Sequence, residues 1–522
     1  MTVLLVRSAR AQLQGPTSVS QVLGYSAVTS KVPYQGGTIP SIFTETLSPI
    51  QVGSASFKPT IFTASNYTTS KSLFDLESAI NAGIATALSI VPLSSPASGV
   101  ILRTDPKTEA ELPESSTLGT IFTERAETIG KHRWYVGFSH QDFHFSRFNG
   151  MDLNSLSVLY RGGDPSAISL QGGGPVINTV PATFQIGMNV HLSQDITFIT
   201  FGLTDRVDVS VGLPVVHAGV LAETHDGVIY AGTGFANDSH STCWCVNTFT
   251  PGTPTLELPG TIGQDALSRT GFGDVLVRLK GSVIRKRNVV VAVGSDLRLP
   301  TGSAANYLGT GTTSVKPFTA VSLYSKPVRK VVFSPHFDLG WQFSGKSILG
   351  GELQPTETAY TIPYTVQGVT NQAQFQLPTG PFASTKGFIP DVFSWAAGTE
   401  VALGHRNTVI LDILGDQIGW IHGIPDVVSN DVPGVYLPEG VNGNSSKTPP
   451  PPAMGTAAGL VGVYSSPGIL RRVAFGQYNG SLGYKARIAG NLVANISILY
   501  RFDNNGLVAR VVPSYGLSYT FH

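Results

Sequence analysis

The chain ends in a segment, Gly506 to His522, whose side chains alternate in character. Leu507, Ala509, Val511, Tyr515, Leu517, Tyr519 and Phe521 share one parity, and Val508, Arg510, Ser514, Gly516, Ser518 and Thr520 share the other. Successive side chains of a strand point to opposite faces, so this segment is a strand with one apolar and one mostly polar face. An apolar face must meet either a core or lipid. Charge argues for lipid, because only 13% of the 522 residues are charged, against roughly 25% in soluble domains. Yet no apolar run approaches the roughly 18 residues that a membrane helix needs. A barrel of strands resolves the conflict: its apolar surface is spread over alternate residues, and every backbone group is paired within the ring. A soluble multi-domain β protein is the competing reading.

The same rhythm predicts twelve strands, at 131–146, 184–202, 206–216, 271–284, 288–299, 315–326, 330–343, 390–404, 407–420, 473–488, 491–502 and 507–521. Every second connection is tight: Leu203-Thr204-Asp205, Arg285-Lys286-Arg287, Pro327-Val328-Arg329, His405-Arg406 and Ala489-Gly490. The connections between them, 147–183, 217–270, 300–314, 344–389 and 421–472, are long, and only 503–506 is short. Short turns at one end and long loops at the other are the pattern of outer-membrane barrels, with the turns and both termini periplasmic. The fold class expected is all-β: a transmembrane antiparallel up-and-down barrel of about twelve strands. An extra hairpin within 151–183 or 344–389 would make fourteen. Gly172-Gly173-Gly174-Pro175 and the run Pro449 to Pro452 are loop compositions.

Ahead of the barrel, expected over 126–522, residues 12–125 form an irregular segment rich in Ser, Thr and Pro. Within it Leu73, Leu76, Ile80, Ile84, Ala87, Leu88 and Val91 fall at helical spacing. Ser72 and Asp75 suggest a capping box, and Pro92 and Pro96 end the helix. This segment either plugs the lumen or packs in the periplasm. Residues 1–11 read as the remnant of a signal peptide, with Ala9 and Ala11 as an A-x-A cleavage pattern.

If the apolar parity meets lipid, the other parity faces the lumen. An Arg or Lys facing lipid at mid-membrane costs about 2–4 kcal/mol, so charges belong inside. The residues assigned to the lumen are Arg278, Lys280, Asp296, Arg298, His336, Asp338, Glu400, Asp412, Asp416, Lys485, Arg487, Arg501 and Arg510. Arg206 and Asp208 share that parity on their strand. Either these charges form a constriction that selects solutes, or they pair and fill a narrow barrel. A selecting role for Arg487 and Arg501 would show as a shift toward cations when both are neutralised.

Other chemistries find less support. Thirty-four basic residues balance thirty-three acidic ones, which does not suggest nucleic acid. Cys243 and Cys245, flanking Trp244, neither build a disulfide framework nor complete a zinc set with His240. His217, His225 and His240, with Asp226 and Asp238, read as members of one long exposed loop, and no metal or other cofactor is expected. His336 and Asp338 share a parity and hydrogen bond each other in this reading. The absence of a Gly-x-Ser-x-Gly elbow argues against a hydrolase, and Gly309-Thr310-Gly311 lacks the Lys of a phosphate loop. The chain is not expected to be an enzyme.

Three resemblances sharpen the expectation. The final strand, with Phe521 and apolar residues at every second position upstream, resembles the closing strand of bacterial outer-membrane barrels, where this pattern is the signal to the barrel-assembly machinery; His522 after the Phe is a departure. Gly271, Gly273 and Asp274, then Leu299-Pro300-Thr301-Gly302, Gly309 and Gly311, resemble the outer-membrane proteins assigned to the meta-pathway of phenol degradation, often called transporters. Thr123 to Gly150 resembles the first barrel strand of uncharacterised relatives. The resemblance implies an outer-membrane channel or transporter for small molecules, among them aromatic or hydrophobic compounds, in contact with outer-membrane lipid and lipopolysaccharide. The alternative is a surface-binding or adhesion barrel with an occluded lumen, acting through its long loops.

Overall fold

Alternation commits each of the twelve segments to a strand, and in the computed structural model these strands pair in chain order around a closed ring. They are β1 (Trp134–Phe145), β2 (Gly174–Thr204), β3 (Val207–Tyr230), β4 (Val275–Lys286), β5 (Val289–Leu299), β6 (Ser314–Leu323), β7 (Val331–Ser344), β8 (Val392–Leu403), β9 (Asn407–Ile418), β10 (Phe475–Ala489), β11 (Leu492–Arg501) and β12 (Val511–Phe521). Each is antiparallel to the next, and β12 returns to pair with β1. The structure describes the side chains of residues 16–22, 77–91, 117–156, 185–225, 261, 264–286, 288–325, 332–352, 384–404, 406–423 and 473–521, with backbone alone over some adjoining stretches. The signal-peptide remnant, Cys243, Cys245, His240, Asp238, the Asp226 side chain and Pro449 to Pro452 lie outside these residues.

Through the middle of the ring the parities separate as hydropathy requires. Phe138, Leu213, Leu279, Val293, Phe337, Leu411, Ile413, Leu482, Ile496 and Leu517 stand exposed on the outer face. Ser139, Thr200, Ser210, Ser282, Ser322, Ser334, Thr408, Ser481, Ser497 and Ser518 are buried on the inner one. Aromatic pairs border the belt: Trp134 with Phe201 near the tight turns, and Trp341 with Phe343, Phe393 and Trp420 toward the long connections. An apolar belt between aromatic girdles is the surface of a transmembrane barrel.

The strand expectations need three corrections. β2 and β3 run well beyond the ring, where Leu156–Gln171 pairs with β2 and Pro254–Phe272 with β3. His217 and His225 are therefore residues of β3 rather than of a loop. These extra strands extend one side of the ring without widening it, so the closed count stays at twelve. β12 starts at Val511; Leu507 and Val508 instead pair with Arg147 and Phe148. Leu507 is apolar because it packs with Phe148 against Gly83 of the helix, not against lipid.

That helix, α1 (Tyr67–Ile90), begins five residues before the expected cap, so Ser72 and Asp75 lie inside it. From Glu77 to Val91 it is buried or half-buried on every side. The strands around it show why. Above Gln141 the inner face of β1 turns apolar (Phe143, Phe145), as do those of β2 (Ile186, Met188, Val190, Leu192) and β3 (Val216, Ala218, Val220). These residues share one core with Ile80, Ile84 and Leu88 of α1. On the same stretch the outer face turns polar: His140, Asp142 and His144 on β1, His191, Ser193 and Asp195 on β2, His217 and Glu223 on β3. The parity inverts because the partners invert, with lipid outside and polar groups inside below, water outside and α1 inside above.

Candidate functional site: a filled barrel lumen

The lumen is occupied by the chain's own N-terminal part. Residues 117–133 cross the barrel at the tight-turn end, held by wall side chains at each step. Leu118 N donates to Thr408 Oγ1 at 3.0 Å and Gly119 N to Glu400 Oε2 at 3.1 Å. Lys485 donates to the Thr120 carbonyl. Ala126 N donates to Ser322 Oγ at 3.0 Å, and Ser282 Oγ to the Ala126 carbonyl at 2.7 Å. Ile129 N donates to Asp208 Oδ2 at 2.9 Å. His132 and Gly202 then bond backbone to backbone at 2.8 Å. A Cβ on Gly202 would lie 1.8 Å from the Gly130 carbonyl oxygen, so only glycine admits the crossing there.

Charges lock this floor. Glu124 reaches Arg278 with one carboxylate oxygen and Lys280 Nζ with the other, the latter at 2.7 Å. Arg278 also grips Asp296 bidentately, at 2.6 and 2.7 Å. Lys280 Nζ completes its shell with the carbonyls of Arg125 (2.9 Å) and Glu127 (2.7 Å). Arg125 lies between Glu127 and Glu400, 3.5 Å from each. Asp338 accepts from Glu124 N. Such buried cations and anions persist only because each is paired.

The other predicted lumen residues have distinct positions. His336 Nε2 meets Asp412 Oδ1 at 2.8 Å, not Asp338. The pair bridges β7 and β9 across Gly398 of β8, where a Cβ would sit 2.0 Å from Asp412 Oδ1. Arg298 Nη1 donates to the Leu88 carbonyl at 2.6 Å, satisfying an end of α1 that has no helical partner. Asp416 lines the internal cavity. Arg487 lies at the tight-turn rim, where its backbone N donates to the Arg406 carbonyl. Arg501 and Arg510 are at the opposite rim: Arg501 holds Asp503, Gln477 and the Asn505 carbonyl, and Arg510 donates to the carbonyls of Arg501 and Asp503. They fasten the last loop. Arg206 is exposed in its turn.

Sequence reasoning missed the residues that answer these charges, Glu124, Arg125 and Glu127. The available signal was a Glu-Arg-x-Glu cluster just ahead of the first strand in a chain poor in charge. At the mouth, α1 is fixed by Tyr307, whose hydroxyl donates to Asn81 Oδ1, and by Asn81 Nδ2 donating to the Ser20 carbonyl at 3.2 Å. Burial, and then the negative charge of Glu77, hold the Tyr307 phenol well above its ordinary pKa.

Between mouth and floor lies a cavity of about 120 Å³, opening in part to solvent. Ser89, Ile90 and Val91 roof it, and Phe122 and Glu124 floor it. Arg278, Asp296, Arg298, Asp338 and Asp416 line it beside Leu276, Phe318, Leu339, Trp395 and Leu414. In its wall the ladder between β6 and β7 is interrupted, passing over Lys316 and Pro317. Proline cannot donate to the ladder. Phe318, Leu339 and Gly340 there border both the cavity and a groove lined by Val293, Pro317, Trp341 and Phe393.

No protein-family model matches the chain, and no curated protein matches it. Among solved structures it is similar to an outer membrane channel from Pseudomonas putida F1, at 8% identity and a TM-score of 0.36 over 76% of this chain and 98% of that one. It is also similar to a FadL homologue of Pseudomonas aeruginosa, at 9% identity and a TM-score of 0.28 over 82% and 98%. A third is the Ralstonia pickettii toluene transporter TbuX, at 8% identity and a TM-score of 0.27 over 75% and 90%. The fold assignment rests on the ring of strands itself.

Proposed function

We propose that the chain is a transporter of the bacterial outer membrane that passes small, partly hydrophobic molecules, with tight turns and both chain ends in the periplasm. The observation that supports this reading is the cavity: it is closed by α1 on one side and by the Glu124 segment on the other, yet shares Phe318, Leu339 and Gly340 with a groove in the apolar wall. A lumen filled with paired charges is a poor path for ions. A cavity with both aromatic and charged walls suits a small amphipathic or aromatic solute, which polar groups orient and apolar ones hold. Phe318 lies at the boundary, its ring 5.0 Å from the Arg278 guanidinium carbon. The lipid, lipopolysaccharide and assembly-machinery partners expected from sequence belong to the same proposal.

The test is reconstitution into liposomes, measuring ion conductance and entry of a small aromatic fluorophore in parallel. Wild-type protein is expected to carry no steady ion current while speeding fluorophore entry, and Phe318→Ala to speed entry further. A stable, large conductance from the wild type would establish an open pore instead. No faster entry than protein-free liposomes, from folded wild type and F318A alike, would overturn the transport reading.

A further inference from the structure

The outer face of the barrel carries a cluster of imidazoles and a carboxylate that the transport reading does not use. It sits where the outward residues of β1 and β2 change from apolar (Phe138, Ile199) to polar. Asp142 and His144 are two apart on β1 and therefore share a face. Asp142 is opposite Ser193, and His144 is opposite His191 of β2. The Asp142 carboxylate is approached from both sides by imidazole nitrogens: His191 Nε2 lies 2.6 Å from Oδ1 and His144 Nε2 lies 3.2 Å from Oδ2. The two rings stack with centroids 4.4 Å apart, and the three donor atoms lie within 4.8 Å of one another. Backbone pairing between β1 and β2 fixes the three Cα positions, and the exposed His144 leaves the cluster accessible from outside.

A fourth side chain stands beside these three. His217 of β3 is opposite Ser193, with its ring centroid 5.9 Å from that of His191. Its Nδ1 is engaged by Thr270 Oγ1 at 2.7 Å, which leaves Nε2 as the nitrogen for a ligand. Fixing a ligating imidazole through its second nitrogen is the usual outer-shell device of metal sites. A simple pair of hydrogen bonds would use one histidine for each carboxylate, as the neighbouring His140 and Asp195 do at 2.7 Å. At Asp142 two histidines converge on one carboxylate and a third stands alongside.

We propose that Asp142, His144 and His191, with His217 as a further ligand, bind one divalent transition-metal ion on the outer face of the barrel. Imidazoles with one carboxylate suit zinc, nickel or copper, whereas calcium and magnesium take oxygen-only sets. The ion ties β1, β2 and β3 together just beyond the apolar belt, and water or an anionic oxygen completes its shell.

The test uses untagged, full-length protein in detergent micelles, stripped with chelator, with Cys243 and Cys245 both changed to Ser so that no thiol competes. Calorimetric titration with zinc chloride is expected to show one equivalent bound. His191→Ala and His144→Ala should each weaken binding by at least about tenfold, the lower end of what loss of even a supporting residue costs a metal site. His336→Ala, on the inner face, should leave it unchanged. Cobalt(II) should give a visible absorption band that H191A abolishes, a signature that a merely structural Asp142–His191 bond would not produce. No zinc binding by folded protein, or binding that survives in both H191A and H144A, would overturn the proposal.

Discussion

Glu124 is one carboxylate facing two cations, and that asymmetry decides what its loss would do. Arg278 has a second partner in Asp296, so it stays neutralised when Glu124 goes. Lys280, buried, would keep the carbonyls of Arg125 and Glu127 as hydrogen-bond acceptors, with the Asp208 carboxylate of the neighbouring strand as its remaining counter-charge. Removing one member of a buried ion pair leaves a charge without compensation, whereas removing both can be neutral. Glu124→Gln is therefore expected to lower stability by about 3 kcal/mol, the lower end for breaking a buried pair, read from the shift in denaturant midpoint of the barrel refolded in micelles. The double variant Glu124→Gln/Lys280→Met should recover part of that loss. A midpoint for E124Q equal to wild type would mean that the pairs contribute nothing to holding the floor.

At the scale of elements, the ring was legible from sequence while its contents were not. Lipid imposes a strict alternation on β4, β5, β7 and β9, and turns as short as Gly490-Asn491 leave little choice of neighbour. Beyond the belt the constraint reverses: His217, Glu223 and His225 look like loop residues until the core of Val19, Val22 and α1 is known to lie behind their strand. Residues 117–133 have no regular rhythm because their backbone groups bond to wall side chains, Thr408, Glu400 and Ser322 among them, rather than to a helix or ladder. α1 itself showed its apolar spacing, but not that its polar face would also be buried, against Ser20 and Tyr307. That polar anchoring has a pH signature. The buried Tyr307 phenol resists ionisation, while the unfolded chain's ionises near pH 10, the ordinary value. Above that pH the unfolded state binds fewer protons than the folded one, so stability falls as pH rises. Tyr307→Phe should cost about 1 kcal/mol at neutral pH through the lost hydrogen bond, and should flatten the alkaline fall seen in the wild type. Equal alkaline slopes for wild type and Y307F would place the fall elsewhere.

For the molecule as a whole, the transport proposal turns on which barrier would move to let a solute pass. The floor is bonded to strands on opposite sides of the ring, from Lys485 on β10 to Asp208 on β3, and displacing it would break the Glu124, Arg125 and Ile129 interactions together. The β6–β7 wall offers a smaller change, because its ladder is already interrupted at Pro317 and a rotation of Phe318 is local. Passage through the wall therefore needs no movement of residues 117–133. A thiol cross-link separates the two routes. Ala126 N and Ser322 Oγ are 3.0 Å apart, so Ala126→Cys with Ser322→Cys, in a background with Cys243 and Cys245 changed to Ser, allows the floor to be pinned to β6 by oxidation to a disulfide. Cross-linked protein is expected to keep its rate of aromatic fluorophore entry within about twofold of the uncross-linked form, since a twofold change corresponds to only about 0.4 kcal/mol in barrier. Entry that stops on oxidation and returns on reduction of the disulfide would assign the gate to the floor. In that case Phe318→Ala in the cross-linked background would restore nothing, because the wall would not lie on the path.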